Sequence, residues 1–254
     1  MHVVFAVNFI FLYFPILALI AFSFNDSKRN ITWQGFTLKY YAKAFHNASL
    51  QDAFLNSLII ASISTVVSTI LGTMLGLTLH RYRFPGKAAF DGWIHLPIVI
   101  PEICMGVAML AFFAWVHIPL GLTTVTISHI AFSVPFVAVV IRARMAGFDE
   151  SLEEASRDLG ASQWQTFWNV TFPYLVPGAV AGGLLALSLS LDDFVITFFT
   201  SGPGSTTFPI KIYSMVRFSV TPEVNAASTM LILLTLTLTV IAMTIQARST
   251  KSQS

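Results

Sequence analysis

Three acidic side chains stand where water should be scarce. Glu102 lies near the middle of an apolar run that starts at Trp93, and Asp192 and Asp193 sit side by side late in another that starts at Tyr174. An ionised group at the centre of a bilayer costs at least ~2.5–3.5 kcal/mol on insertion scales, so such residues mark functional positions by default. What they can offer is fixed negative charge. Helix packing or capping is the plainer alternative for each.

Glu102 follows Pro97 and Pro101, two prolines that interrupt backbone hydrogen bonding and should kink or break the helix there. Irregular backbone at that depth is tolerated only inside protein or around a water-filled cavity. Adjacent helical residues point about 100° apart. At most one of Asp192 and Asp193 therefore faces a pathway squarely, and the other caps or pairs with a neighbouring helix.

A second constellation lies in a polar island: Glu154-Ala155-Ser156-Arg157-Asp158-Leu159-Gly160, nine further residues, then Val170-Thr171-Phe172-Pro173. Ser151 with Glu154, and Ser162 with Gln165, have capping-box spacing. Residues 146–172 therefore read as two short helices, with Gly160 in a left-handed turn between them. The second helix places Trp164, Phe167, Trp168 and Thr171 on one face, and Pro173 stops it before the next span. Large aromatic rings left wet are expensive. The face needs a protein partner or, as the alternative, the membrane surface.

The elements that hold these residues are apolar helices. The 254 residues are 55% hydrophobic and 10% charged, against about 25% charged in soluble domains. The net charge of +2 gives no footprint for nucleic acid. Spans need ~20 apolar residues. Six windows qualify: Val3–Phe24, Phe54–Leu79, Trp93–Val116, Leu122–Ile141, Tyr174–Phe199 and Ala226–Ile245. The first has no basic region before it and no clear cleavage site after it, so it reads as a retained span. In lipid, helices satisfy their own backbone groups. The fold expected is all-α, six transmembrane helices in one domain over residues 1–254.

With the N-terminus inside, inner loops hold eight basic residues (Arg81, Arg83, Lys87, Arg142, Arg144, Arg157, Arg248, Lys251) and outer loops six (Lys28, Arg29, Lys39, Lys43, Lys211, Arg217). The short basic loop at 80–87 and the basic tail decide for N-in, C-in. Trp33, Phe36, Tyr40 and Tyr41 suit interface anchoring, with ligand contact as the alternative. The single Cys104 excludes an intrachain disulfide and reads as a small buried apolar residue. The histidines lack close metal-ligand spacing and read as packing or interface residues.

The Glu154-to-Pro173 pattern resembles the EAA loop of ABC-importer permease subunits. It departs from that pattern mildly, at Ser156, Val170 and Phe172. The resemblance continues through Trp33-Gln34-Gly35-Phe36-Thr37, Tyr82-Arg83-Phe84, Ser190-Leu191-Asp192-Asp193, Lys211-Ile212-Tyr213-Ser214 and Pro222-Glu223-Val224-Asn225-Ala226. Over about Phe22 to Met230 the chain is similar to spermidine/putrescine permease subunits.

The resemblance implies a type I ABC-importer permease fold and a place in the bacterial inner membrane. It implies a loop (Glu154, Ala155, Gly160, Trp164, Phe167, Trp168, Pro173) that docks on a dimer of ATPase subunits. The other implied partners are a second, homologous permease, an exported substrate-binding protein (periplasmic or extracellular), membrane lipid and a polyamine. It places Asp192, the first of the two aspartates, in the substrate path with Glu102. Tyr40 stands where such permeases carry a tryptophan, and its ring would serve cation–π contact. No cofactor or metal is expected on this chain. ATP and magnesium belong to the partner, because no G-x-x-x-x-G-K-(S/T) loop is present. The alternatives are an importer for another small solute and an intramembrane enzyme. The latter lacks a G-x-S-x-G or H-E-x-x-H element.

Overall fold

The computed structural model describes residues 2–27, 32–218 and 221–251. Among them every regular element is helical, with a single antiparallel bridge, Asn25 to Phe36, as the one extended pairing. Lys28, Arg29 and Ser252–Ser254 lie outside the described residues, as do the side chains of Arg248 and Lys251 in the basic tail.

Two compact units divide the chain, Met1–Asn56 with Thr206–Thr237 and Ser57–Ser205 with Leu238–Ser254. The first begins with α1 (His2–Phe22), whose Phe9, Phe11 and Leu12 are exposed. The Asn25 side chain then ties a loop together. Its amide nitrogen donates to the Thr32 carbonyl at 2.8 Å, and its oxygen accepts from the Gln34 N–H at 2.8 Å. Next come α2 (Lys39–Phe45) and the start of α3 (Ala48–Arg81). After residue 205 this unit resumes with α11 (Phe208–Phe218) and the first part of α12 (Pro222–Lys251). Ala44, Leu50, Phe208 and Ala227 form its core. Glu223, almost buried at the start of α12, meets Lys43 Nζ at 2.6 Å and Asn47 Nδ2 at 3.0 Å. The Glu223 hydrogen bond holds the Lys43 ammonium above the ordinary lysine pKa.

The second unit carries the rest of α3, then α4 (Lys87–Val99), α5 (Glu102–Val116), α6 (Leu122–Met145), α7 (Ser151–Asp158), α8 (Gln163–Thr166), α9 (Phe172–Asp192) and α10 (Val195–Thr200). Its core is Val137, Ile141, Met145, Leu175 and Ala186, where α6 lies against α9. Small residues let these helices approach closely, as they do in membranes. At Gly72 of α3 an added Cβ would lie 2.5 Å from Val137 Cβ. Cys104, expected inside, is exposed on a side of α5 that the unit does not cover.

Among the described residues four helices are long and apolar enough to cross a membrane: Ala48–Arg81, Leu122–Met145, Gln163–Asp192 and Pro222–Ile241. The pair α4 and α5, bent by 108°, makes a fifth if taken as one span. The described apolar part of α1, Val7–Phe22, is shorter. The bend has a local cause. Ile100 precedes Pro101 and is extended (φ −70°, ψ 133°), the conformation that a following proline enforces. Pro101 then opens α5 without leaving an N–H to satisfy.

Gly72→Ala should destabilise the α3–α6 contact by about 1–3 kcal/mol, the usual cost of overpacking. Gly92→Ala, where a Cβ meets nothing within 4 Å, is the control. Thermal unfolding of the purified assembly should fall for the first variant and hold for the second.

Candidate transport site and coupling loop

Each of the three buried-span acids lies at a helix interruption. Glu102 is the first residue of α5, exposed just beyond Pro101. Asp192 is the last residue of α9 and is also exposed. Apart from its own backbone, its carboxylate makes no hydrogen bond among the described residues. The helix that carries Glu102 packs against α10, which follows directly after Asp192 and Asp193. The two interruptions thus bring two open carboxylates into one neighbourhood.

Asp193 is different. Its side chain is only 5% exposed. Oδ1 accepts from the Ile196 N–H at 3.3 Å; Oδ2 accepts from the Thr197 N–H at 2.8 Å and from the Thr197 hydroxyl at 2.6 Å. Asp193 is the side-chain cap of α10, whose first N–H groups have no partner in the helix itself. His129 Nε2 lies 3.2 Å from the same Oδ2 and 2.9 Å from Thr197 Oγ1. On the other ring edge, His129 Nδ1 is 2.7 Å from Ser190 Oγ, which accepts from Ser64 Oγ at 3.1 Å. Sequence reasoning read His129, with the other histidines, as a packing or interface residue. Its only signal was a polar ring inside an apolar run.

Tyr40 belongs to the other unit. It is 8% exposed, its hydroxyl donates to the Ser27 carbonyl at 2.6 Å, and Lys39 Nζ sits 5.1 Å from its ring centroid. Its surroundings are the chain's own. Trp33 and Phe36 are exposed nearby in sequence, and Tyr41 shares a hydrogen bond with Ser23 at 2.6 Å.

The loop at 146–172 folds as two helical pieces, with corrections. Gly160 adopts φ +88° between them, a region costly for a side chain. Ser162 and Gln165 form a reciprocal capping box: the Ser162 N–H donates to Gln165 Oε1 at 2.8 Å and the Gln165 N–H to Ser162 Oγ at 3.3 Å. Ser151 and Glu154 do not. Asp149 Oδ1 takes the Ser151 N–H at 3.0 Å instead, and hydrogen bonds from Ser151 hold the Asp149 carboxyl below its ordinary pKa.

Glu154 and Ala155 are exposed, and the Glu154 carboxylate has no partner among the described residues. The residue that fastens α7 is its neighbour Glu153, which pairs with Arg81 at the end of α3 and accepts from the Thr171 hydroxyl. Arg81 also reaches Thr171 Oγ1 at 3.3 Å. These contacts close over 72 and 90 residues of chain, beyond any local pattern.

Pro173 does not stop the helix. Residues Gln163–Asp192 run as one helix, with a wide π turn at Phe167–Thr171. Proline lacks an N–H and presses on the carbonyl four residues back. The widened turn, in which the Phe172 N–H reaches the Phe167 carbonyl, takes up that mismatch. It also breaks the expected single aromatic face. Phe167 packs toward the core and Thr171 is buried, while Trp164 and Trp168 stay 68% and 44% exposed. Leu159, beside Gly160, is 90% exposed. This cluster is an apolar surface that the chain does not cover.

Comparison with known proteins agrees with this anatomy. Residues 68–253 match the family model described as binding-protein-dependent transport system inner membrane component. The chain is 39% identical over 244 residues to the spermidine/putrescine transport system permease protein PotC of Escherichia coli (strain K12), covering 96% of this chain and 92% of that protein. It is 37% identical to the putrescine transport system permease protein PotI of the same strain, over 91% and 84% of the two chains. A solved bacterial ABC transporter that imports the acidic polysaccharide alginate shares the fold, with a TM-score of 0.72 at 17% identity over 96% and 92% of the chains. A chain of the inward-facing MetNI methionine ABC transporter does so with a TM-score of 0.65 at 19% identity, over 78% and 95%. With its broken apolar helices, its open acids and its uncovered aromatic loop, this chain belongs to the family of inner membrane components of binding-protein-dependent transport systems, as a transport subunit and not an enzyme.

Proposed function

We propose that this chain is one of two permease subunits of an importer that receives a polyamine from an exported binding protein and is driven by separate ATPase subunits. The observation that carries this reading is the pair Asp192 and Glu102: two exposed carboxylates, each at a helix interruption, where α5 packs against α10. A polyamine is a flexible chain with at least two ammonium groups, and two spaced carboxylates are its chemical complement. Asp192 also ends α9, and cations are favoured at helix C-termini. The relatives named for spermidine and putrescine support the same substrate class.

Residues 146–172 serve as the coupling loop of a single permease domain. Glu154, Ala155, Gly160, Trp164 and Trp168 form or shape its contact with the ATPase, while Phe167 and Pro173 set the helix behind it. Six spans with both termini inside complete the reading, with α4 and α5 as the broken third span.

Asp192→Asn should weaken uptake roughly tenfold or more. A charged hydrogen bond contributes about 1.5–3 kcal/mol, and each ~1.4 kcal/mol is tenfold in binding. Labelled spermidine and putrescine uptake in Asp192→Asn and Glu102→Gln, at matched protein levels, is the measurement. Wild-type uptake in both variants would remove these acids from the pathway. Absence of polyamine uptake in the unaltered transporter would redirect the search to another solute.

Gly160→Val should impair assembly with the ATPase or its stimulated hydrolysis, since a side chain at positive φ costs ~1 kcal/mol or more. Full stimulated turnover with normal assembly would exclude the loop from coupling.

Orientation is read by cysteine labelling in a Cys104→Ala background. Thr206→Cys should label from outside and Asp158→Cys only after the inner face is opened; both positions are exposed. The reverse pattern would overturn N-in, C-in.

A further inference from the structure

Where α3 and α6 run out of apolar residues, cationic side chains gather around one cavity. The apolar run of α3 ends at Leu79, and His80 and Arg81 follow. That of α6 ends at Ile141, and Arg142 and Arg144 follow. Leu79 and His80, Lys87 and His95 of α4, and Val139 and Arg142 line a cavity of about 530 Å³ at this level. That is within the ~300–1,000 Å³ of small-ligand sites.

Most of the donor capacity here is uncommitted. Arg142, its side chain 33% exposed, gives one terminal nitrogen to Asp91 of α4; the rest of its five-donor fork has no partner among the described residues. Lys87 Nζ gives one of its three hydrogens to the Tyr82 carbonyl at 2.9 Å. The His80 ring makes no hydrogen bond or ion pair among the described residues. His95 Nδ1 donates to the Asp91 carbonyl at 2.7 Å, so its Nε2 offers an N–H only in the charged ring. Leaving the imidazoles aside, Lys87 and Arg142 against Asp91 give the cavity one net positive charge.

Several free donors around a net positive charge are the complement of a phosphate group, which accepts many charge-assisted hydrogen bonds. The level of the cations along the helices says where that phosphate comes from. They stand at the border of the apolar layer, where lipid headgroups lie, and Leu79 and Val139 add an apolar wall that a soluble anion does not need. Trp93, 74% exposed on α4, is a ring type enriched at that border. We propose that this cavity, between the ends of α3 and α6 and the start of α4, binds the phosphate of an anionic membrane phospholipid. Lys87 and Arg142 are its charge partners and His80 a further donor. Basic pockets between membrane helices suit such headgroups. The inference uses neither the acids of the candidate transport site nor the coupling loop, and it stands apart from the substrate reading.

The test uses the complete purified transporter, with its ATPase, second permease and binding protein. Phosphatidylglycerol and phosphatidylcholine are offered together at equal concentration, and the lipid retained per transporter is counted by native mass spectrometry. Phosphatidylglycerol should be retained over phosphatidylcholine about fivefold or more. Lys87→Gln should weaken that retention about fivefold, the worth of one cation near a lipid surface, while its amide still reaches the Tyr82 carbonyl. Arg142→Gln combined with Asp91→Asn, which strands no carboxylate, should do the same. Arg83→Gln removes an exposed cation of the same loop that does not line the cavity, and should leave retention unchanged. Equal retention of the two lipids, or an equal loss in Arg83→Gln, reports diffuse attraction to the surface and overturns the inference. Displacement of the lipid by millimolar inorganic phosphate does so too, since the occupant is then a soluble anion. If the double variant does not assemble, Lys87→Gln alone decides, and wild-type retention in it refutes the proposal.

Discussion

A helix that begins inside an apolar layer leaves backbone N–H groups with no water to meet them, and each orphan costs several kcal/mol. Asp193 answers that demand for α10 by accepting from Ile196 and Thr197. The rest of the candidate site depends on this one side chain. Because Asp193 caps, the chain can break between α9 and α10; because it breaks there, Asp192 ends a helix with its carboxylate exposed. The matching break at Ile100 has a different origin: Pro101 forces extended backbone on the residue before it, and α5 starts behind it without a side-chain cap. Two interruptions with two different chemical solutions leave one acid apiece uncommitted.

Much of this was written locally. The break before Pro101, the turn at Gly160 and the box of Ser162 with Gln165 all follow from rules that act over a few residues. The same locality misled at two points. Ser151 and Glu154 have the spacing of a cap, but Asp149 reaches the Ser151 N–H first. Pro173 has the form of a stop, but a wide turn lets the helix pass it.

What local pattern could not supply are the partners brought together by packing. Glu153 and Glu154 are neighbours of one residue type, and only the arrival of Arg81 and Thr171 separates a structural acid from a free one. Asp192 and Asp193 divide more locally, since Ile196 and Thr197 of the next turn engage Asp193, and His129 of α6 adds one distant contact. Glu223 reads as a conspicuous acid at the head of an apolar helix, and its work is to hold Lys43 and Asn47. For Glu153 and Glu223 the partner that commits the carboxylate lies far away in sequence.

The continuous helix Gln163–Asp192 joins the exposed Trp164 to the exposed Asp192 without a loop between them. At 1.5 Å per residue that is a rod about 40 Å long. Its wide turn at Phe167–Thr171 acts as a phase plate. A π turn inserts one residue into the helical count, which rotates everything beyond it by about 100° relative to an unbroken α-helix. The direction in which Asp192 points is therefore fixed at the far end, beside the aromatic loop. Tightening of that turn to ordinary α geometry would change the angular register between Trp164 and Asp192 by the same ~100°.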